Sequence, residues 1–190
     1  GAASRLGGNR NIYVFNDTGS IVRSANELHE NNTNITNADL AIQDETDANA
    51  LRDAILKWTR GVDVKDSNGD GSTTDYRSQM GDPIHSQPII VNYGTDDSAI
   101  FVATNQGMLH SFDTSTGEEN FAIMPKTLLQ NLHHFYKDTS SLEHKYGLDG
   151  DMILRTVGDN KYLYVGMRRG GRNYYVFDVT QKTSPTLKFK

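Results

Sequence analysis

Short apolar runs separated by polar turn residues recur along most of the chain. Runs of this kind, rich in β-branched and aromatic residues and bounded by Gly, Asn, Asp or Pro, are typical of β-strands. The pattern predicts a hairpin made of Ile12–Phe15 and residues 20–22 around a turn at 16–19. It also predicts eight later strands, at residues 84–91, 99–104, 108–113, 120–124, 152–157, 162–166, 173–178 and 186–189.

Two segments have helical rather than strand periodicity. Four apolar residues at positions i, i+3, i+4 and i+7 indicate a helix over 47–60. These residues are Leu51, Ala54, Ile55 and Trp58. Thr46 is predicted to cap the start of this helix and Gly61 to follow its end. A second helix is predicted over 125–136. The segment 24–39 is rich in Asn and poor in apolar residues, so it is predicted to be an exposed loop.

Two of the predicted strand pairs repeat one another. Each pair is an apolar strand, a turn containing glycine, a second apolar strand that ends in Phe-Asp, and a further turn containing Thr. The first copy ends at Phe112-Asp113, and the second ends at Phe177-Asp178, about 63 to 65 residues further on by strand. A recurring antiparallel unit of this kind is typical of the blades of a β-propeller.

The repeat therefore predicts a mainly β fold. We expect part of a β-propeller of antiparallel blades, with helical insertions and an EF-hand-like calcium loop. A closed ring of four to eight such blades needs more chain than 190 residues, so residues 1–190 are expected to form part of one propeller domain. A compact sandwich of two sheets is the alternative that the pattern leaves open.

One polar loop, at residues 63–75, carries a metal-binding pattern. Side chains with oxygen atoms stand at alternate positions, and Gly71 occupies the sixth position of an EF-hand-type loop, where a sharp turn requires positive φ. Oxygens at alternate positions of a tight loop converge on one centre, which suits Ca²⁺. The predicted ligands are Asp66, Asn68, Asp70, Ser72 through its carbonyl, and Asp75.

This loop is not an ordinary EF-hand, because position 12 is Arg77 where a bidentate Glu is required. Asp75 is therefore expected to close the site at position 10, with Asp63 as an alternative or outer ligand. A solvated acidic turn without metal is the other interpretation. Calcium is favoured because the four carboxylates within 63–75 repel one another unless a cation lies among them.

Composition and charge narrow the classes of function. The chain has 19 basic and 24 acidic residues and a net charge of -5, so it lacks the basic excess that binds nucleic acid. It has no cysteine, which removes disulfides, thiolate catalysis and cysteine-based metal sites. The 6 histidines form no zinc motif and no serine lies in a nucleophile motif, so no enzyme is predicted. No apolar run could span a membrane, and we expect that any export signal has been removed.

Several stretches resemble the C-terminal propeller domain of the PilY1/PilC proteins of type IV pili. They are residues 58–61, 81–88, 101–113, 116–119, 149–150 and 170–180, in the order and spacing of that family. In the family, the Asp-rich loop binds calcium and its occupancy governs pilus extension and retraction. The resemblance implies this role for 63–75 here. One position differs, because the family's last acid stands at position 9, which is Thr74 in this chain, whereas Asp75 is at position 10.

The resemblance also implies a non-enzymatic protein that acts in pilus assembly, surface adhesion and twitching motility. The implied partners are pilus components such as the minor pilins, and host or abiotic surfaces. The implied location is the bacterial periplasm, outer membrane, cell surface or pilus, after export. Residues 116–119 resemble a blade motif of quinoprotein dehydrogenases as well, so a dehydrogenase dependent on pyrroloquinoline quinone is the alternative function. A carbohydrate-binding propeller is a third possibility.

Overall fold

The computed structural model describes residues 10–78, 80–138 and 144–190. Its strands are β1 (Ile12–Phe15), β2 (Gly19–Ser20), β3 (Ile89–Gly94), β4 (Asp97–Ala103), β5 (Leu109–Asp113), β6 (Glu119–Pro125), β7 (Met152–Val157), β8 (Asn160–Gly166), β9 (Tyr174–Asp178) and β10 (Thr186–Phe189). Its α-helices are α1 (Ala48–Thr59) and α2 (Leu132–Lys137), and 3₁₀ turns lie at Ser24–Asn26, Lys126–Asn131 and Arg168–Gly170. No helix in the described ranges is long and apolar enough to cross a membrane.

The strands form two five-stranded sheets, each built on a four-stranded antiparallel meander. Sheet A contains β3, β4, β5 and β6 in that order, and β1 pairs with β6 in parallel. Sheet B contains β7, β8, β9 and β10 in that order, and β2 pairs with β10 in antiparallel. The fold is mainly β, as predicted, and the described part of the chain does not itself close a ring of sheets.

The predicted hairpin of Ile12–Phe15 with residues 20–22 is wrong, because β1 and β2 lie in different sheets. All four residues of β1 are buried, whereas both residues of β2 are exposed. A strand that is buried on both faces needs cover on both sides, which a short exposed partner cannot supply. β1 therefore pairs with the buried strand β6. Its Phe15 ring contacts the rings of Tyr175 and Phe177 in sheet B, each at a centroid distance of 5.3 Å.

All eight later strands predicted from the sequence are present. The largest difference is at residues 84–88, which precede β3 instead of belonging to it. Pro83 precedes this stretch and Pro88 ends it, and neither has a backbone N–H to donate to a neighbouring strand. The strand therefore begins only after the second proline.

The two meanders share one pairing register at the repeated residues. Ile100–Phe112 and Val102–His110 in sheet A correspond to Leu163–Phe177 and Val165–Tyr175 in sheet B. In both copies the aspartate that ends the Phe-Asp motif accepts a backbone N–H from the following turn. Thr116 donates to Asp113 at 3.0 Å, and Thr180 donates to Asp178 at 3.1 Å. The repeat in the sequence is thus a repeat of structure.

Equivalent faces of the two sheets have different surroundings. The face of sheet A that carries Phe101 and Phe121 also carries Phe15, so it is turned towards sheet B, and Phe101 and Phe121 are each 1% exposed. The register places the equivalent row of sheet B on the face turned away from sheet A. We call this row the outer row; its members are Ile153, Tyr164, Val176 and Phe189. Ile153 is 64% exposed and Phe189 is 62% exposed, so sheet B leaves open the apolar face that sheet A buries.

The first predicted helix is confirmed, and the second is helical only in part. α1 covers most of 47–60, and Gly61 follows it with a φ of 105°. The predicted cap by Thr46 is wrong, because Asp47 precedes the helix in a left-handed conformation and makes no side-chain cap bond. Before α2 the chain forms a 3₁₀ turn at Lys126–Asn131, in which two adjacent leucines are both buried. The first half of the predicted helix is therefore a 3₁₀ turn whose two leucines are both part of the core.

The Asn-rich segment 24–39 is largely exposed, as predicted, but it is anchored at two points. Leu28 and Ile35 are both buried in the core. The guanidinium of Arg52 in α1 also donates to the backbone carbonyls of Asn32 and Ile35, each at 2.6 Å. The segment is therefore tied to the core and to α1, although it contains almost no regular structure.

Candidate metal centre

The predicted calcium loop follows α1 and is closed at its base by backbone hydrogen bonds. The N–H of Asp63 donates to the carbonyl of Asp75 at 2.9 Å, and the N–H of Arg77 donates to the carbonyl of Gly61 at 2.8 Å. Both ends of the loop are thereby held together directly after the helix. Residues 63–75 form one closed turn whose position is set by α1.

Asp63 holds the beginning of the loop. Its side chain is buried, and its carboxylate accepts hydrogen bonds from the backbone N–H of Ser67 at 2.9 Å and from the Ser67 hydroxyl at 2.8 Å. Burial raises the pKa of Asp63, but hydrogen bonds from Ser67 and Asn68 and the charge of Arg77 outweigh burial and lower this pKa below its ordinary value. Asp63 is therefore a charged anchor inside the turn, with both oxygens occupied.

Asn68 forms hydrogen bonds with two of the predicted acidic ligands. Its side-chain amide donates to Oδ2 of Asp70 at 2.8 Å and to Oδ2 of Asp75 at 3.1 Å. The other oxygen of Asp75, Oδ1, is buried and has no hydrogen-bond partner among the described residues. Two carboxylates thus meet at one point, and one of them retains a buried oxygen whose bonding capacity is unused.

The remaining predicted ligands lie in the same turn but make other bonds. The carboxylate of Asp66 accepts the backbone N–H of Gly71 at 3.1 and 3.2 Å, and the N–H of Ser72 donates to Oδ1 of Asp70 at 2.8 Å. Gly71 has a φ of 85°, so the predicted sharp turn is present at this position. In the described ranges, Asp66 is not hydrogen-bonded to the group around Asn68. The turn thus brings together Asn68, Asp70 and Asp75, with Asp66 and Ser72 bordering them.

The donor chemistry of this loop fits a hard cation. Within the described residues, no three histidine or acidic side chains gather into a ligand set, so carboxylates alone do not complete a shell. The atoms at hand are oxygens of carboxylate, amide and backbone groups, which are the ligands that Ca²⁺ prefers. The unused Oδ1 of Asp75 is the atom that a cation would satisfy. The loop is therefore suited to an ion with several oxygen ligands and loose geometry.

A second polar cluster, which the sequence did not predict, lies in the core beside the loop. The guanidinium of Arg10 donates to both oxygens of Glu119 at 2.8 Å, and Nδ1 of His110 lies 2.7 Å from Oε1 of Glu119. Burial raises the pKa of Glu119, but the hydrogen bonds and charges of Arg10 and His110 lower it to about 2. Arg10 and Glu119 are 109 residues apart, so no local motif could have revealed the pair.

Curated proteins similar to this chain are type IV pilus biogenesis factors. A PilY1 homolog of Xylella fastidiosa strain Temecula1 is 28% identical over 161 residues, which cover 70% of this chain and 13% of the relative. PilY1 of Pseudomonas aeruginosa strain PAO1 is 29% identical over 161 residues, covering 70% of this chain and 14% of the relative. PilY1 of P. aeruginosa strain UCBPP-PA14 is 23% identical over 219 aligned positions, which cover 94% of this chain and 18% of the relative. No family model and no solved structure matches the chain.

The curated homologues of this chain are thus PilY1 type IV pilus biogenesis factors, which confirms the resemblance stated from the sequence. The similarity extends over 70 to 94% of the chain. The chain spans only 13 to 18% of the length of these three relatives. The comparison therefore concerns one portion of much longer proteins.

Replacing Gly71 by alanine is expected to lower the free energy of unfolding by about 1 kcal/mol, because an L-residue is strained at a φ of 85°. Nothing lies within 4 Å of the point that a Cβ would occupy here, so the cost is conformational and not steric. Gly94→Ala is the matched control, since it also has open space but no positive φ. Urea denaturation should show a lower free energy of unfolding for Gly71→Ala and an unchanged one for Gly94→Ala. Equal effects of the two substitutions would contradict the turn geometry.

Glu119→Gln is expected to lower the free energy of unfolding at pH 7 by about 3 kcal/mol, because it breaks a buried ion pair. The pKa of Glu119 is lowered from 4.5 to about 2 on folding, so its charged form stabilises the protein above pH 4.5. This contribution is lost as the pH falls from 4.5 towards 2. Urea denaturation should show that the difference in free energy of unfolding between wild type and Glu119→Gln shrinks as the pH falls through this range.

The control for this pH series is Glu45→Gln, which removes a partly exposed carboxylate paired with Lys137. Exposed pairs contribute little, so this change should alter the free energy of unfolding by less than about 0.5 kcal/mol at any pH. A Glu119→Gln difference that stays constant down to pH 2 would show that the carboxylate is not held charged in the fold.

Proposed function

We propose that this chain is a calcium-binding, non-enzymatic module of a type IV pilus assembly and adhesion protein. The observation that carries the proposal is the meeting of Asp70 and Asp75 at the amide of Asn68, with Oδ1 of Asp75 buried and unpartnered among the described residues. Two carboxylates held this close repel each other, and a divalent cation would relieve that repulsion. The similarity to PilY1 pilus biogenesis factors supplies the biological setting.

In this proposal the ion is held by the oxygen atoms of five residues. They are Asp66, Asn68, Asp70, Ser72 through its carbonyl, and Asp75. Calcium would supply positive charge among the carboxylates, and the loop's own residues provide the turn and the ligand atoms. The base of the loop is closed beside Gly61, directly after α1. Ordering of the loop by the ion would therefore be transmitted to the C-terminal end of α1.

We propose that calcium occupancy regulates pilus extension and retraction, and through them twitching motility and surface attachment. The partners would be pilus components such as the minor pilins, and host or abiotic surfaces. The protein would act after export, in the periplasm or outer membrane or on the cell surface or pilus. The similarity to pilus biogenesis factors supports the pilus setting, and the net charge of -5 gives no reason to add nucleic acid to the partners.

The alternative, a quinoprotein dehydrogenase, is not favoured by the residues that suggested it. In residues 116–119, Thr116 donates its N–H to Asp113 in the turn after β5, and Glu119 forms the buried ion pair with Arg10. Both residues therefore stabilise the fold. We propose a structural role for this motif in place of a cofactor role.

We further propose that the two sheets are successive blades of a partial β-propeller. Their shared register and their packing through unlike faces support this arrangement. When unlike faces of equivalent units pack, the last unit keeps one face open, and further units can add until a ring closes. The outer row is the open face that such a ring would cover.

Calcium binding is tested by isothermal titration of chelator-treated protein with Ca²⁺. Wild type should bind one ion, and Asp70→Ala and Asp75→Ala should each weaken binding by at least about tenfold, because each removes a charged ligand. Asp159→Ala is the control, since it removes an exposed aspartate from the turn between β7 and β8. Equal binding by all three variants, or no binding by wild type, would contradict the site.

The propeller proposal is tested by a pair of equivalent positions, Phe101 in sheet A and Tyr164 in sheet B. In this chain alone, Phe101→Ala should cost about 3 to 5 kcal/mol of unfolding free energy, whereas Tyr164→Ala should cost less than about 1 kcal/mol. In a longer PilY1-type protein that contains this chain, a further blade would bury Tyr164. Denaturation should then show a cost for Tyr164→Ala close to that for Phe101→Ala; an unchanged small cost would contradict the proposal.

A further inference from the structure

A cavity of about 430 Å³ lies between α1, α2, the calcium loop and β5. Two methionines and two histidines are among the residues that line it: Met80, Met108, His110 and His134. Thioether sulfur and imidazole nitrogen are both metal ligands. The calcium proposal uses none of these four residues.

Met108 and His110 lie on the same face of sheet A. The N–H of Thr104 donates to the carbonyl of Met108 at 2.8 Å, so the pairing of β4 with β5 continues through Met108, which immediately precedes β5. Side chains two positions apart in a strand point to the same face. Met108 is 5% exposed and His110 is 2% exposed, and both line the cavity. The same wall therefore presents a thioether and an imidazole from neighbouring positions.

The imidazole of His110 has a fixed orientation. Its Nδ1 lies 2.7 Å from Oε1 of Glu119, and the carboxylate of Glu119 also accepts two hydrogen bonds from Arg10, each at 2.8 Å. An ionised carboxylate can only accept, so Nδ1 carries the proton and Nε2 of the neutral ring keeps its lone pair. Nε2 is buried and has no hydrogen-bond partner among the described residues.

This arrangement around His110 is characteristic of a histidine that binds a metal. Such a histidine usually donates its second ring N–H to a carboxylate, which fixes the tautomer and makes the other nitrogen a better ligand. A buried nitrogen without a partner costs free energy, and a metal ion would remove that cost. His110 thus has the carboxylate partner of a metal ligand and a second nitrogen whose bonding capacity is unused.

The side chains at this cavity favour a soft metal ion. Asp138 is the one carboxylate among the described lining residues, so a hard cation finds few of the oxygen ligands that it requires. No three histidine or acidic side chains gather within the described ranges, so the usual ligand sets of zinc are not formed there. Thioether sulfur selects Cu⁺. The chain has no cysteine, so methionine is its only source of sulfur ligands.

We infer that this cavity binds Cu⁺ through Nε2 of His110 and the sulfur of Met108. Met80 and His134 line the same cavity and supply further ligands. Met80 is 45% exposed, so one of these ligands can be reached from solvent. The inference does not rest on calcium binding, because none of the four residues belongs to the calcium loop.

The test is a competition for Cu⁺ between the protein and the coloured chelator bicinchoninate, without oxygen and with ascorbate as the reductant. Calcium is kept in excess throughout. Wild type should withdraw one Cu⁺ per chain from the chelator, and Asp70→Ala should do the same, since the calcium loop is not involved. An equal concentration of Zn²⁺ should not displace the Cu⁺, because zinc has no preference for thioether sulfur.

Two substitutions should each weaken Cu⁺ binding by at least about tenfold, because each removes a ligand. They are Met108→Leu, which conserves side-chain volume, and His110→Asn, which removes Nε2. Met124→Leu is the matched control, since Met124 is buried in β6 and is not among the described residues that line the cavity. Urea denaturation checks that each variant is folded. Should His110→Asn not fold, Met108→Leu alone decides.

X-ray absorption at the copper edge provides a second measurement on the same variants. The spectrum of the wild-type complex should contain scattering from sulfur that is weaker in Met108→Leu and unchanged in Met124→Leu. Three results would overturn the inference: no binding of Cu⁺ by wild type, displacement of Cu⁺ by Zn²⁺, or equal affinities of Met108→Leu and Met124→Leu.

Discussion

The packing of sheet B on sheet A is the contact on which the rest of the structure depends. Phe15 extends from sheet A to Tyr175 and Phe177 of sheet B, and unlike faces of the two meanders meet there. The opposite face of sheet A carries His110, which lines the cavity between the helices and the calcium loop. The sheet pair thus divides the molecule, with the polar sites on one side and the open apolar outer row on the other.

The features of the fold that depend on neighbouring residues could be predicted from the sequence. Strand periodicity and the Phe-Asp repeat located β3 to β10, and apolar spacing located α1. The partner of β1 could not be predicted, because a four-residue apolar run fits a hairpin as well as a buried edge. Burial on both faces decides between them, and burial is a property of the assembled sheets.

In the candidate site, too, the features that depend on neighbouring residues could be predicted and those that depend on the folded loop could not. Spacing alone predicted the sharp turn at Gly71, and it named Asn68, Asp70 and Asp75, which the turn brings together. Spacing did not predict that Asp66 would bond to the backbone of Gly71, since several acceptors compete for the same N–H groups in a tight loop. The cavity combines residues from distant parts of the chain, so no motif indicates it.

The pairing of β1 with β6 has a consequence for the order of folding. Each meander joins strands that are close in the sequence, so its loops close at small entropic cost and it is expected to form early. Arg10 and Glu119, by contrast, meet across 109 residues, and β2 must reach β10 across an even longer separation. The N-terminal strands are therefore expected to dock last, when they join two sheets already formed and pair with the edges of β6 and β10.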